Sequence, residues 1–321
     1  MAVFRRLEDI PSSFEPSLVS VGNFDGVHCA HLRVLHEIVN RSRKQGRKSM
    51  AVTFEPHPMR VLRPDSSLKL LTPTEEKIRL LVETQIDAVV LVPFTRELSL
   101  MSPRDFATEI LRNRLRAVEV HEGYNFHFGH RAAGDVRLLS ELGRELGFEV
   151  LVYPEMRVRG ESVSSTRIRE LVRMGQVARA RTVLHRSFSI RSTPAPGRGI
   201  GSKHTVPTIN LSEYRELVPS NGVYITRTQV ADECFDSVTN IGNRPTVGAD
   251  SFAIETHLLD FHPLELGPDT QVELFFLSRL RDEIKFGSIE ALREQILRDI
   301  RKTQHYFDLV GRATTSVETG S

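Results

Sequence analysis

The amino-acid sequence predicts two successive layered domains: an α/β domain built on a parallel sheet, then a mostly antiparallel β domain that ends in a helix. Three observations carry this. Between residues 18 and 183 short apolar runs alternate with helical patterns, the order that yields a parallel sheet wrapped by helices. After Ser187 the texture changes to STPAPGRGIGS, rich in glycine, proline and serine. Beyond that break, strand-like runs dominate until a last amphipathic stretch.

Taken in order, the runs LVSVG, MAVTF, AVVLV, AVEV and FEVLVYP read as strands, separated by helical segments such as 74–83 and 103–114. In the second half GVYITRTQV, CFDSVTNIG, FAIETHLLDF and TQVELFFLSRL are strands. Residues 288–307 form a helix with Ser288 as N-cap, whose apolar stripe runs through Ala291, Leu292, Ile296, Leu297 and Ile300. The polar tail 311–321 is expected to be disordered. No internal repeat is present, which excludes a solenoid.

Composition narrows the function. With 321 residues, 40% of them hydrophobic, the chain can bury two cores at about 100–200 residues per domain. Lys+Arg 43 against Asp+Glu 41 leaves a net charge of only +2, too little for a broad nucleic-acid field, so the expected partner is a small phosphate-bearing molecule. The longest apolar stretch, 88–94, falls far short of the ~20 residues that span a bilayer. The opening MAVFRRLEDIP lacks an export signal. Cys29 and Cys234 have neither disulfide-framework nor zinc spacing. The expectation is a cytoplasmic protein without nucleic-acid or membrane partners, compatible with a homo-oligomer.

Chemistry concentrates in a few segments. In SVGNFDGVHCAH a strand runs into Gly22, Asp25 and Gly26 and then into His28 and His31 at a helix start. Strand, tight turn and helix N-terminus make a phosphate site, and two imidazoles three residues apart share a helix face from which they can steady a leaving pyrophosphate. HxxH alone is an ordinary polar turn; the preceding GNFDGV gives it meaning. VSSTRIR at 163–169 sets hydroxyls beside guanidiniums, a clamp for phosphate oxygens. TFEPHP at 53–58 follows the second strand at the carboxyl edge of the sheet, where open α/β folds bind ligands. In PTIN, Thr208 and Asn210 are hard oxygen ligands two residues apart, suited to Mg²⁺ shared with ATP phosphates. Glu255 lies on the strand face opposite Phe252 and Ile254, placed to act as a general base.

GNFDGVHxxH, TFEPHP, GYNFHFGHRAAGD and VSSTRIR, in this order, resemble the FMN adenylyltransferase half of the prokaryotic bifunctional FAD synthetases. PTIN, GVY at 222–224, NIGNRPT at 240–246, IETHLLD and LRDEIKF at 280–286 resemble the riboflavin kinase module. The resemblance implies an α/β N-terminal Rossmann-like nucleotidyltransferase domain at 1–186 and a C-terminal antiparallel β-barrel kinase domain with a terminal helix at 187–310. It implies riboflavin, FMN and ATP as substrates, with Mg²⁺ accompanying ATP. ATP would lie on Gly22, Phe24, Asp25, Gly26, Ser165, Thr166, Gly199 and Gly201, with His28, His31 and Arg169 acting on its phosphates. Flavin would lie near Phe54, Pro56, His57, Pro58, Asn125 and Phe128 in one site and near Arg281 and Phe286 in the other. Thr208 and Asn210 would hold Mg²⁺, and Glu255 would be the catalytic base. Departures exist: Ala30 stands where the family reads HxGH, Ser192 and Pro194 replace a glycine and a valine, and Ser202 and Thr205 replace an arginine and a glycine in the loop before PTxN. The alternative reading is an adenylyltransferase whose barrel binds flavin without turnover.

Overall fold

In the computed structural model, residues 1–14, 16–195, 208–244, 251–262 and 266–318 are described. The backbone divides into two units, Met1–Arg167 and Ile168–Ser321.

The first unit carries a six-stranded, wholly parallel sheet in the order Ala2–Phe4, Ala88–Pro93, Lys48–Glu55, Ser17–Val21, Ala117–Gly123, Glu149–Tyr153. Its central strands are apolar on both faces because helices cover both, and all five residues of Ser17–Val21 are buried. One face packs Val19, Met50, Val52 and Val90 against Phe106, Leu111 and Leu139. The other packs Leu18, Ala51 and Val89 against Leu35 and Ile38 of the helix Cys29–Gln45 and Ile78 and Leu81 of the helix Thr74–Glu83. The chain runs outward from Ser17–Val21 to Ala88–Pro93, then returns to Ala117–Gly123 on the other side. Strand order therefore reverses beside Ser17–Val21, and a ligand crevice opens at the carboxyl ends of strands at such a reversal. Residues 22–28 leave the sheet at that point.

The five strands read from the sequence are present, and the edge strand Ala2–Phe4 is an addition. Three residues are too few to show a period, so this strand forms only because Ala88–Val90 offers it a partner. The helix expected at 103–114 begins as a helical turn, Pro103–Asp105, and continues as a π-helix, Phe106–Arg114, in which the Leu115 amide donates to the Ile110 carbonyl at 2.9 Å.

The second unit holds six antiparallel strands in the order Phe188–Ser192, Val272–Arg281, Gly222–Val230, Glu233–Arg244, Ser251–Leu258, Ile209–Asn210. The sheet curls until its edges meet: Pro194 bridges Leu211, and the Ala195 amide donates to the Asn210 carbonyl at 2.8 Å. Its interior is partly polar. Thr226, Thr228, Ser237, Thr239 and Thr256 are fully buried and bond one another at 2.7–3.3 Å. A buried hydroxyl with no partner costs roughly 1–3 kcal/mol, and this mutual network offsets that cost. Ile289–Glu318 forms the terminal helix, capped by Ser288, whose Oγ accepts from the Ala291 amide at 3.1 Å. The helix passes Gly311, so residues 311–318, read from the sequence as a disordered tail, continue its backbone here, with no proline to stop it.

Candidate active sites

The residues 22–31 form a short arch from the strand Ser17–Val21 to the helix Cys29–Gln45. Gly26 takes φ +83°, open to glycine without strain, but Phe24 and Val27 also take positive φ, +46° and +35°. A bulky and a β-branched side chain hold that region only where surrounding structure forces them. Here the forcing contacts are visible. The buried Asp25 carboxylate accepts from the amides of Leu71 at 2.9 Å and Thr72 at 3.1 Å, and the Gly26 amide donates to Thr72 Oγ1 at 3.1 Å. Ser165 Oγ donates to the Asp25 carbonyl at 2.9 Å, which brings the start of the helix Ser165–Arg173 to the same arch.

His28 is the N-cap of Cys29–Gln45, its Nδ1 accepting from the His31 amide at 3.4 Å. The two rings stack 3.6 Å apart at 15°, and Phe24 meets His31 edge-on at 5.1 Å. The imidazoles thus stand together at the positive end of a 17-residue helix. Ser164 Oγ caps the second helix by accepting from the Arg167 amide at 3.2 Å, with Thr166 exposed and Arg169 buried one turn further on.

Beside the arch, Lys48–Glu55 ends in a cis Glu55–Pro56 bond. His57 caps the short helix Pro58–Leu62, its Nδ1 accepting from the Met59 amide at 3.2 Å. Phe54 is partly buried against Phe94 at 5.5 Å, and Asn125 lies exposed after the strand Ala117–Gly123.

In the second unit, antiparallel pairing puts Asn210 directly opposite Glu255, and Glu255 directly opposite Asn240. Cross-strand partners stand with Cβ atoms roughly 4.5–5.5 Å apart. An amide, a carboxylate and a second amide therefore form one row across three strands. Thr208 precedes this row by two residues and is exposed. Arg281 is bonded through Nε and Nη2 to Oδ2 of the buried Asp299 at 2.9 and 2.7 Å, and its guanidinium lies 6.0 Å from the Phe286 ring. The segment bearing Arg281 and Phe286 is thereby pinned to the terminal helix.

Residues 10–167 match the family model for FAD synthetase, and residues 184–307 match that for riboflavin kinase. The bifunctional riboflavin kinase/FMN adenylyltransferase of Buchnera aphidicola subsp. Schizaphis graminum is 31% identical over 314 residues, 97% of this chain and 100% of that protein. Its counterpart in Escherichia coli K12 is 32% identical over 296 residues, 92% and 94% of the two chains. The chain belongs to the bifunctional riboflavin kinase/FMN adenylyltransferase family. A solved structure from Streptococcus pneumoniae, described as a macrolide-efflux protein, has the same fold with a TM-score of 0.83 at 24% identity, covering 94% of this chain and 98% of that one. Family membership makes the chain a transferase, with both halves present.

For a member of this family, the structure sorts the residues chosen from sequence. It gathers Gly22, Asp25, Gly26, His28, His31 and Ser165 at one arch, and Asn210 and Glu255 on facing strands. Phe24 and Phe128 lie in the two cores of the first unit, 2% and 6% exposed. Gly199 and Gly201, with the altered positions Ser202 and Thr205, lie outside the described residues, as does Thr246. Among the described residues no helix is long and apolar enough to cross a membrane. Cys29 is a buried thiol and Cys234 an exposed one.

Three groups were missed. Lys77 and Glu122 are charged residues on buried elements, 4% exposed each. Glu122 takes the Val21 amide at 2.6 Å, at the root of the arch, and burial pushes its carboxyl well above the usual range. Asn240 joins the Glu255 row through pairing alone. In sequence, Lys77 and Glu122 look like members of ordinary charged surfaces; an acid among the buried positions of an inner strand was the available signal for Glu122.

Proposed function

We infer that the two ATP-dependent steps of this enzyme, phosphorylation of riboflavin to FMN and adenylylation of FMN to FAD with release of pyrophosphate, are carried out by separate constellations. The adenylyltransferase domain is assigned to residues 1–186 and the kinase domain to 187–310. The observation that carries this division is the separation of the two groups: the stacked His28 and His31 stand at a helix N-terminus in the first unit, and Asn210, Glu255 and Asn240 stand in register in the second.

In the first step of cofactor assembly the riboflavin terminal hydroxyl attacks the γ-phosphorus of ATP, the bond to the β-phosphate oxygen breaks, and Glu255 takes the hydroxyl proton. Base assistance of this kind contributes about 10²–10⁴ in rate. Mg²⁺ fits the donors present: the Thr208 hydroxyl and the side-chain amide oxygen of Asn210 would hold it, leaving other positions to water and phosphate. When bound, the ion supplies charge neutralisation on the phosphates. Arg281 and Phe286 border the riboflavin.

In the second step an FMN phosphate oxygen attacks the α-phosphorus of ATP and pyrophosphate leaves. The arch amides around Gly22 and Gly26, the hydroxyls of Ser165 and Thr166, and Arg169 grip the triphosphate. His28 and His31 donate to it as charge moves onto the leaving group. Asp25 keeps the arch in shape, Phe24 supports it from beneath, and the flavin lies against Phe54, Pro56, His57, Pro58 and Asn125, with Phe128 behind. The cytoplasm is the compartment that supplies ATP and keeps both cysteines reduced.

The test is incubation with riboflavin, ATP and Mg²⁺ followed by chromatographic separation of riboflavin, FMN and FAD. Glu255→Gln abolishes most FMN formation and leaves FAD formation from supplied FMN intact; His28 and His31 changed together to Ala do the reverse. Parallel loss of both products in either variant contradicts the division. An active wild type that makes FAD from FMN but no FMN from riboflavin reduces the barrel to a flavin-binding module.

A further inference from the structure

The amine of Lys77 is the one buried cation on the helix Thr74–Glu83, and it reaches back to the carboxyl edge of the sheet. Its Nζ donates to three oxygens: the Asn23 carbonyl at 3.3 Å, Thr53 Oγ1 at 3.0 Å and the Phe54 carbonyl at 3.4 Å. Asn23 belongs to the arch 22–31. Thr53 and Phe54 open the segment 53–58 on the neighbouring strand. Thr53 Oγ1, itself fully buried, donates to the same Asn23 carbonyl at 3.2 Å, so the three groups form a closed knot. Backbone pairing joins the arch to this strand only at its base, where the Gly22 amide donates to the Val52 carbonyl at 2.9 Å. An ammonium has three donors, and all three are used here to extend that join to Asn23 and the segment 53–58. Glu55 and Asp25 supply the opposing charge, and Glu55 is itself held by the Thr74 hydroxyl at the start of the same helix.

Burial of a lone ammonium is costly, and an apolar side chain of similar length would pack at this position without that cost. A cation here gains what a methionine would not: a fixed separation between the two segments. We propose that Lys77 is a positioning residue for adenylyl transfer, locking the nucleotide arch at Asn23 to the flavin-side segment at Thr53–Phe54 so that the attacking phosphate oxygen and the α-phosphorus are held at reacting distance. The inference rests on the reading of 22–31 as the ATP arch and 53–58 as the FMN segment. Lys77 touches neither substrate in this role. Each loop keeps its own shape through other bonds, the arch through Asp25 and the FMN segment through the His57 cap, so removing the amine loosens their mutual placement rather than either pocket. A misplacement of about 1 Å costs on the order of 10²-fold in rate.

The experiment uses the full-length chain with Lys77→Met, which keeps the stem and deletes the charge. ATP and FMN binding are measured separately by calorimetry with the inactive-step partner omitted, and FAD formation is measured by chromatography, with riboflavin kinase turnover of the same preparation as reference. The expected result is a binding stoichiometry equal to wild type, Kd for each ligand within about threefold, kinase turnover unchanged, and adenylyl-transfer kcat lowered about 10- to 100-fold. A kcat within twofold of wild type overturns the proposal; a kcat loss matched by an equal loss of stoichiometry reports only unfolded protein and passes the decision to the second variant. If Lys77→Met does not fold, Thr53→Val removes the shared acceptor and leaves the amine; it lowers kcat in the same direction with stoichiometry retained, and an unchanged kcat there also overturns the proposal. Failure of the underlying reading looks different: wild type then forms no FAD from FMN and ATP, or the paired His28 and His31 alanine variant retains full FAD formation.

Discussion

Replacing Asp25 by alanine separates a carboxylate that shapes the arch from one that meets ATP directly. The wild-type carboxylate is buried and accepts from two backbone amides, Leu71 and Thr72, and stands 3.4 Å from the Thr72 hydroxyl. Alanine leaves two buried N–H groups without that acceptor, each at a cost of about 1–3 kcal/mol, and forfeits bonds to a charged partner. Allowing for water to enter the gap, the first unit loses about 3 kcal/mol, a large share of the 5–15 kcal/mol typical of a domain. The chain has no tryptophan, so unfolding is followed by far-UV circular dichroism and by calorimetry that resolves the two units. The first unit of Asp25→Ala melts earlier, FAD formation falls, and FMN formation from riboflavin is unaffected. Asp25→Asn keeps an acceptor oxygen and recovers roughly half of the lost stability together with measurable FAD formation. Stability of Asp25→Ala within about 1 kcal/mol of wild type, with Asp25→Asn equally inactive, would refute the reasoning, because the charge would then matter to ATP and not to the loop.

Two further predictions concern pH. Burial alone would raise the Glu119 carboxyl, yet hydrogen bonds from Arg41, Gln45 and His121 bring it down to about 2 from 4.5. A depressed carboxyl stabilises the fold above its unfolded value and loses that contribution as pH falls toward about 2, at most about 3 kcal/mol. Urea midpoints of Glu119→Gln and wild type therefore differ most near neutral pH and converge in acid; a constant difference contradicts the assignment. Glu122 has the opposite sign: its folded-state value is raised, so its contribution is present in acid and lost as pH rises. Glu122→Gln, which preserves an acceptor for the Val21 amide, becomes progressively more stable than wild type as pH rises, as read from thermal midpoints between about pH 5 and 8.

Much of the fold was legible because its signals are local. The inner strands of the first unit read as apolar runs since both of their faces are covered, and Thr74–Glu83 and Gly222–Val230 were bounded to the residue because punctuation and period agree there. The edge strand Ala2–Phe4 was not legible, since it exists through pairing with Ala88–Val90 and carries no period of its own. The buried hydroxyl set of the barrel was equally hidden. Threonine and serine on alternate positions read as the wet face of a strand, and only closure of the sheet turned that face inward.

For the two sites, residue types and spacing determined by themselves which chemistry the chain can carry: paired imidazoles after a glycine-bearing turn, and hydroxyl, amide and carboxylate oxygens on strands. Those are short-range properties, fixed by the periods of helix and strand. Tertiary structure alone decided which distant groups meet. It set Asn210, Glu255 and Asn240 in one row by strand register, carried Ser165 to Asp25 across 140 residues, and buried Lys77 and Glu122 at the root of the arch. Sequence order cannot encode these meetings visibly, because burial, and with it the cost and the leverage of a charge, arises only when separate elements exclude water together.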